Sequence, residues 1–152
     1  MRKWLKHLKN QKGLTLIELL AVVVILGIIA AIAVPAIGNI IDNSKDDAHR
    51  SNALLIINAA KLGIVTDEVK PDATSNITIK SLVEAGLIDA VPSNPSVDGE
   101  AYDSEASFVT ISTTDTKSTY SITLTKKSTP KTRYFNNISE ALLNDNKKPN
   151  TP

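Results

Sequence analysis

Hydrophobic positions follow three different patterns along the chain. From Leu19 to Ile41 there are 23 residues without a single charge. A helix of about 20 apolar residues crosses a bilayer core, so the run is long enough to span one. At Asp42 the pattern changes. Ala48, Leu55, Ala59 and Leu62 then recur at helical spacing with Ile56 beside them, and Asp42, Lys45, Asp46, Asp47 and Arg50 take the other faces. One helix is therefore expected to run from the apolar stretch into an amphipathic half, with Gly63 as its stop. From Leu14 to Gly63 it would hold 50 residues. At ~1.5 Å per residue that is roughly 75 Å. The amphipathic half must bury its apolar stripe against something.

The third pattern is alternation. Thr66 to Asn76 is polar and holds Pro71, which reads as a loop. Ile79–Ala85 reads as a short helix with Leu82 and Val83 inward, ended by Gly86. Leu87 and Ile88 follow, and Pro92 and Pro95 force an extended loop. Ser107–Ser112 and Thr119–Thr125 alternate. Tyr120, Ile122 and Leu124 point one way, and Ser121, Thr123 and Thr125 the other. Thr114-Asp115-Thr116-Lys117 joins them as a hairpin, and Arg133–Phe135 offers a third strand after Pro130. Asn137 with Glu140 three residues on suggests a capped terminal helix through Leu143, followed by a disordered tail from Asn144 to Pro152. The expected class is α+β: a long N-terminal helix packed on a small antiparallel sheet, whose other face meets water.

Composition changes this picture in two ways. The chain has 152 residues and no cysteine, so a small head must hold together without disulfides, by its core or by assembly with copies of itself. The net charge of +1 also hides a division. Arg2, Lys3, Lys6, Lys9 and Lys12 precede Gly13 with no acid among them. The remainder then carries 12 basic against 16 acidic residues, a net of −4. The aromatics are few, and the lysines and arginines outside the first 13 residues are dispersed, so no specific nucleic-acid surface is evident. The basic start should stay in the cytoplasm and send the C-terminus outward.

Such a start admits three readings. The apolar run could be a plain anchor of a binding module. It could be a secretory signal cut near Ala31-Ile32-Ala33 or Val34-Pro35-Ala36. Or the first 13 residues alone could be removed, leaving the apolar helix on the mature chain. The stretch Lys12-Gly13-Leu14-Thr15-Leu16-Ile17-Glu18 bears on the choice. Lys-Gly, an apolar residue and then Thr-Leu-Ile-Glu resembles the class III signal of type IV prepilins and pseudopilins. The resemblance covers Lys12 to about Pro35, with Leu14 where Phe is usual, and it favours the third reading.

That resemblance implies cleavage between Gly13 and Leu14 by a membrane-embedded prepilin peptidase, which also N-methylates Leu14. It implies a type IV pilin-like fold and assembly residues at Glu18, Gly27 and Pro35. It further implies a helical homopolymer of the chain itself, drawn from the lipid bilayer by a cytoplasmic ATPase and an assembly platform protein. The short helix at 79–85 with its glycine and prolines is similar to the αβ-loop of Gram-positive pilins. The expected parts are a leader over 1–13, a transmembrane and filament-core helix over 14–41, its amphipathic continuation over 42–63, a head over 64–143 and the tail over 144–152. The place is the cytoplasmic membrane, crossed once, and then a surface filament. The function implied is that of a pilus subunit for adhesion, motility or surface contact. A pseudopilin of type II secretion or competence DNA uptake is the near rival.

Three residues have a physical reading beside the resemblance. A carboxylate inside a bilayer helix costs roughly 2.5–3.5 kcal/mol or more. Cleavage would create an amine at Leu14, four residues before Glu18. Opposite charges about 4 Å apart attract by roughly 4 kcal/mol at an effective dielectric of 20. The amine could be the chain's own or a neighbour's, and the neighbour's would also set axial register. Gly27, with Ala30, Ala31, Ala33 and Ala36, makes the helix slim enough for close approach. Pro35 frees the carbonyl of Ala31 and is expected to kink or locally melt the helix.

Chemistry beyond this is sparse. No G-x-S-x-G, phosphate loop, H-E-x-x-H or cysteine cluster is present, so no enzyme is expected. His49 with Asp42 and Asp46 could be construed as metal ligands, but a solvated helix face is the plainer reading. A Ser-His-Asp site would need His49 on a surface helix, a poor pocket. No cofactor is expected. Asp98, Glu100, Asp103 and Glu105 around Gly99 offer oxygen ligands of the kind calcium takes, yet their spacing matches no calcium loop and a solvated loop is plainer.

Overall fold

The computed structural model describes residues 4–114 and 117–145, with side chains from Thr15 onward. Asp115 and Thr116 of the expected hairpin turn, and 146–152 of the expected tail, lie outside the described residues. The chain divides into two units, Met1–Asp42 and Asn43–Pro152.

The first unit is helix throughout its described part. Helix α1 spans Trp4–Val65 with Pro35 inside it. The expected local melting at Pro35 does not occur. A proline removes one N–H from the ladder, and the turns on either side hold the helix together. Every large apolar side chain from Leu16 to Ile41 is at least 49% exposed. Among the described residues one helix is long and apolar enough to cross a membrane, and none of its most apolar window is buried.

The second unit holds the core. Strands β1 (Asn76–Thr78), β2 (Phe108–Thr114), β3 (Lys117–Thr125) and β4 (Arg133–Ser139) form one antiparallel sheet in the order β1-β2-β3-β4. The alternation read in β3 sets the register. Ile77, Val109, Ile122 and Ile138 stand opposite one another across all four strands, and Leu124 pairs with Phe135. Together with the second half of α1 they make one buried cluster. Helix α2 (Ile79–Glu84) begins at Thr78, whose hydroxyl accepts from the Ser81 amide at 3.2 Å. It buries Ile79 and Leu82, and Val83 is only partly buried. It ends at Gly86, whose φ of 70° suits a residue without Cβ.

Several expectations need correction. The buried stripe of α1 is His49, Ala53, Ile56, Ile57, Ala59 and Ala60, so Ile56 and Ala59 lie inward as expected, whereas Leu55 and Leu62 are half exposed. Both sets fit helical periodicity, and the loop packed on the helix decides which one is covered. Gly63 does not stop the helix. It is buried within it, and a Cβ there would run into Leu87 Cδ1 and Val69 Cγ2. The end comes two residues later, where Glu68 N donates to Gly63 O at 2.9 Å and Asp67 N to Ile64 O at 3.3 Å, with Asp67 at φ 58°. This is the Schellman arrangement, with aspartate in the left-handed position usually held by glycine.

The loop expected up to Asn76 contains the start of β1, which at three residues is too short to show alternation. The outward face of β3 is not open along its length. Thr123 and Thr125 are buried, Thr125 Oγ1 donating to Ala106 O at 2.9 Å and Thr123 Oγ1 accepting from Asn137 N at 3.1 Å. Asn137 therefore does not cap the terminal helix. It sits in β4 at φ 52°, where the β3–β4 register shifts, and Ser139 caps α3 (Glu140–Asn144) instead. Glu140 is drawn to Lys61 of α1, 2.6 Å from Oε2 to Nζ, and Lys61 also lies 5.1 Å from the centre of the Tyr120 ring.

Two outcomes follow. Gly63→Ala adds a methyl against Val69 and Leu87, an overpacking cost of about 1–3 kcal/mol. Helix propensity returns about 1 kcal/mol. The net loss should lower the urea midpoint of the full chain in detergent, and a raised midpoint would contradict the close-packing role. Lys61→Met and Glu140→Gln, measured singly and together, should show a coupling of about 1 kcal/mol, as expected for a half-exposed pair beside an aromatic ring. A coupling of zero would mean that α3 is held by Leu143 alone.

Candidate functional site

Two places carry the chemistry. The first is the head of α1. Gly13 and Leu14 belong to its helical backbone, and their side chains are outside the described residues. The Leu14 nitrogen here is part of a peptide bond and not an amine. Glu18 is exposed, one helical turn after Leu14. A Cβ built at Gly27 would meet nothing within 4 Å. Nothing within the chain itself therefore requires glycine there. Pro35 and Gly27 stand on the same uninterrupted helix as Glu18.

The second place lies in the head and was not anticipated. His49 is fully buried, not on a solvated face. Segment 92–102 covers it. Asn94 N donates to Glu100 O at 2.8 Å, Ser93 pairs with Ala101, and Tyr102 N donates to Pro92 O, so residues 93–101 form a lobe closed at its neck. His49 Nδ1 lies 2.5 Å from Tyr102 Oη and Nε2 lies 2.8 Å from Ser96 Oγ. Asn52 Nδ2 donates to Ser93 O at 3.1 Å. The neutral ring has one donor and one acceptor nitrogen, so one of the Tyr102 and Ser96 hydroxyls donates to it and the other accepts from it. Tyr134 of β4 stacks on the imidazole at 4.1 Å and accepts from Asn94 Nδ2 at 3.0 Å.

Burial alone pushes the His49 pKa down to about 4, and burial likewise pushes the Tyr102 phenol up. No buried side-chain polar atom among the described residues lacks a partner. Such a network is costly to open part-way. A lone histidine among charged neighbours gave no sign of this in the sequence. The weak signal was the pair of aromatics, Tyr102 and Tyr134, each placed among polar residues.

The acidic loop is arranged for protein partners. Glu100 Oε1 accepts from the amides of Lys127 (3.0 Å) and Ser128 (2.9 Å). Asp103 Oδ1 accepts from Ala106 N at 2.9 Å, and its other oxygen takes Lys131 at 2.7 Å. Lys131 and these amides hold Asp103 below the usual carboxylate range, and the Ser128 amide does the same for Glu100. Glu105 pairs with Lys80 at 3.0 Å. Among the described residues no three His, Asp or Glu side chains are grouped so as to hold a metal ion.

A groove of about 520 Å³ opens beside the lobe, lined by Leu55, Ala59, Leu62, Leu87, Ile88 and Pro92, among others. It accounts for the half-exposed Leu55 and Leu62.

No solved structure matches the chain. Residues 8–34 match the family described as the prokaryotic N-terminal methylation motif, which is the class III signal peptide of type IV pilins. That motif leads a long apolar helix whose second half packs on a small antiparallel sheet, an arrangement like that of type IV pilins and pseudopilins.

Proposed function

We propose that the chain is the structural subunit of a type IV pilus. A prepilin peptidase cuts between Gly13 and Leu14 and methylates the Leu14 amine. The subunit waits in the cytoplasmic membrane with its N-terminus inside. It is then drawn by an ATPase and a platform protein into a surface filament for adhesion, motility or surface contact. The observation that carries this is the methylation motif at 8–34 on a helix that nothing in its own chain covers. Burying a large aliphatic side chain is worth roughly 1.5–3 kcal/mol. Leu16 to Ile41 carries 16 of them, each about half or more exposed. Such a helix needs lipid or copies of itself.

Glu18 gives the assembly its register. In lipid its charge is costly, and in a polymer it meets the methylated amine of a neighbouring Leu14. Methylation leaves that amine charged, so the pair survives it. Gly27 allows neighbouring helices to approach, and Pro35 is where the helix yields if it stretches. A membrane-anchored binding module is the reading of another class, and it needs no methylated Leu14.

Intact-mass measurement on the chain from the producing cells should give residues 14–152 plus one methyl group. A chain that keeps 1–13, or begins near Ala33 or Ala36, would contradict the proposal. Glu18→Ala should be cut normally and yield no filaments. Filaments in normal number from that variant would remove Glu18 from assembly.

A further inference from the structure

We infer that His49 is an acid-sensitive latch: its protonation releases the lobe 93–101 from helix α1 while the sheet stays folded. The inference is independent of filament assembly. It rests on how few contacts hold the lobe and on where they converge. On the helix side the lobe is tied by Ser96 to His49 Nε2 and by Ser93 to Asn52. Its neck residue Tyr102 is tied to His49 Nδ1. Asn94 reaches Tyr134, which stacks on the same imidazole. One ring thus stands behind most of these ties.

Protonation disturbs them together. The neutral ring accepts a proton from Tyr102 or Ser96 at one nitrogen, and a charged ring has only donors. The hydroxyl that had donated to the ring must then turn its proton elsewhere, and both Tyr102 and the ring are buried. No carboxylate bonds to the ring to hold the charge. The titratable groups facing His49 are the phenols of Tyr102 and Tyr134. Asp46 and Arg50 flank it in sequence on α1, and Asp47 is paired with Arg50 at 2.9 Å. On the lobe, Glu100 points to the Lys127 and Ser128 amides. An imidazolium in this dry site is relieved by letting water in, which means opening the lobe.

The sign follows from the direction of the shift. His49 is held below its ordinary pKa when closed and returns toward 6.5 when open, so the closed form is fully favoured above about pH 6.5 and loses ground as pH falls toward 4. In that window opening should rise about tenfold per pH unit. The Ser128 amide lowers Glu100 and Lys131 lowers Asp103, so both carboxylates are ionised where an opened His49 begins to take up its proton. Losing its ties to α1 lets water into the lobe, and the amide bonds within it and at its neck, such as Asn94 N to Glu100 O and Tyr102 N to Pro92 O, open with it. Because Asn52 and Pro92 also line the apolar groove, opening widens the surface around Leu55 and Ile88.

The test uses the full chain in detergent micelles with His7→Gln, leaving His49 as the single histidine. The His49 ring is titrated by NMR while amide exchange, corrected for intrinsic rate, is followed between pH 7.5 and pH 4. The ring should titrate well below pH 6.5. Over the same range amides of 94–102 should lose protection at least tenfold, while those of β2 and β3 keep theirs. In His49→Gln the protection of 94–102 should not vary with pH. A ring that titrates near 6.5 with the lobe still protected would overturn the latch, as would a lobe that stays protected down to pH 4. So would sheet amides that open with the same midpoint, or the same pH step in His49→Gln. If that variant does not fold, the coincidence of ring titration and lobe exchange in the histidine-containing chain decides alone.

Discussion

The apolar half of α1 finds no cover in its own fold, and this constraint shapes everything else. Each large side chain from Leu16 to Ile41 faces outward, so the stretch must live in lipid or among other copies. Its only carboxylate, Glu18, stands where a new N-terminus would arise if the chain were cut after Gly13. A helix that is merely an anchor has no use for an acid there. A helix that moves from bilayer to polymer does, because the acid can be neutralised by a neighbour's amine and so fix the step between subunits.

The head solves a different problem, that of being small and free of cysteine. It has a compact core on one side of a four-stranded sheet, and three polar devices tie the loops to it. Lys61 and Glu140 hold the terminal helix to α1. Glu100 and Asp103 collect the amides and lysines around them. His49 joins the lobe at 93–101 to the helix and to β4. The latch we infer at His49 would make the lobe the acid-sensitive part of the head.

The sequence showed well those elements whose signal is periodic and local. The methylation motif, the uncharged run and the alternation of β3 each stand in a few consecutive residues. Strand β1 was hidden because three residues cannot show a period. The stripe of α1 was half misread because Leu55 and Ile57 both suit a helical spacing, and only the loop at 87–92 decides which is covered. Gly63 and Asn137 carried ordinary signals, a stop and a cap, that tertiary contacts with Val69, Leu87 and Ser121 put to other uses. His49 was least visible of all. Its partners lie more than 40 positions away, at Ser96, Tyr102 and Tyr134, and nothing local distinguishes a buried histidine from one in water.

The central claim is that copies of this chain supply the missing cover for the apolar helix. An electron cryomicroscopy map of surface filaments containing the chain tests it most directly. The account predicts that residues 14–41 lie in the filament core, enclosed by the same segment of neighbouring subunits, with Glu18 beside the N-terminal amine of another copy. A chain found only as separate subunits in the membrane, or a filament in which this segment is absent or faces water, would contradict it.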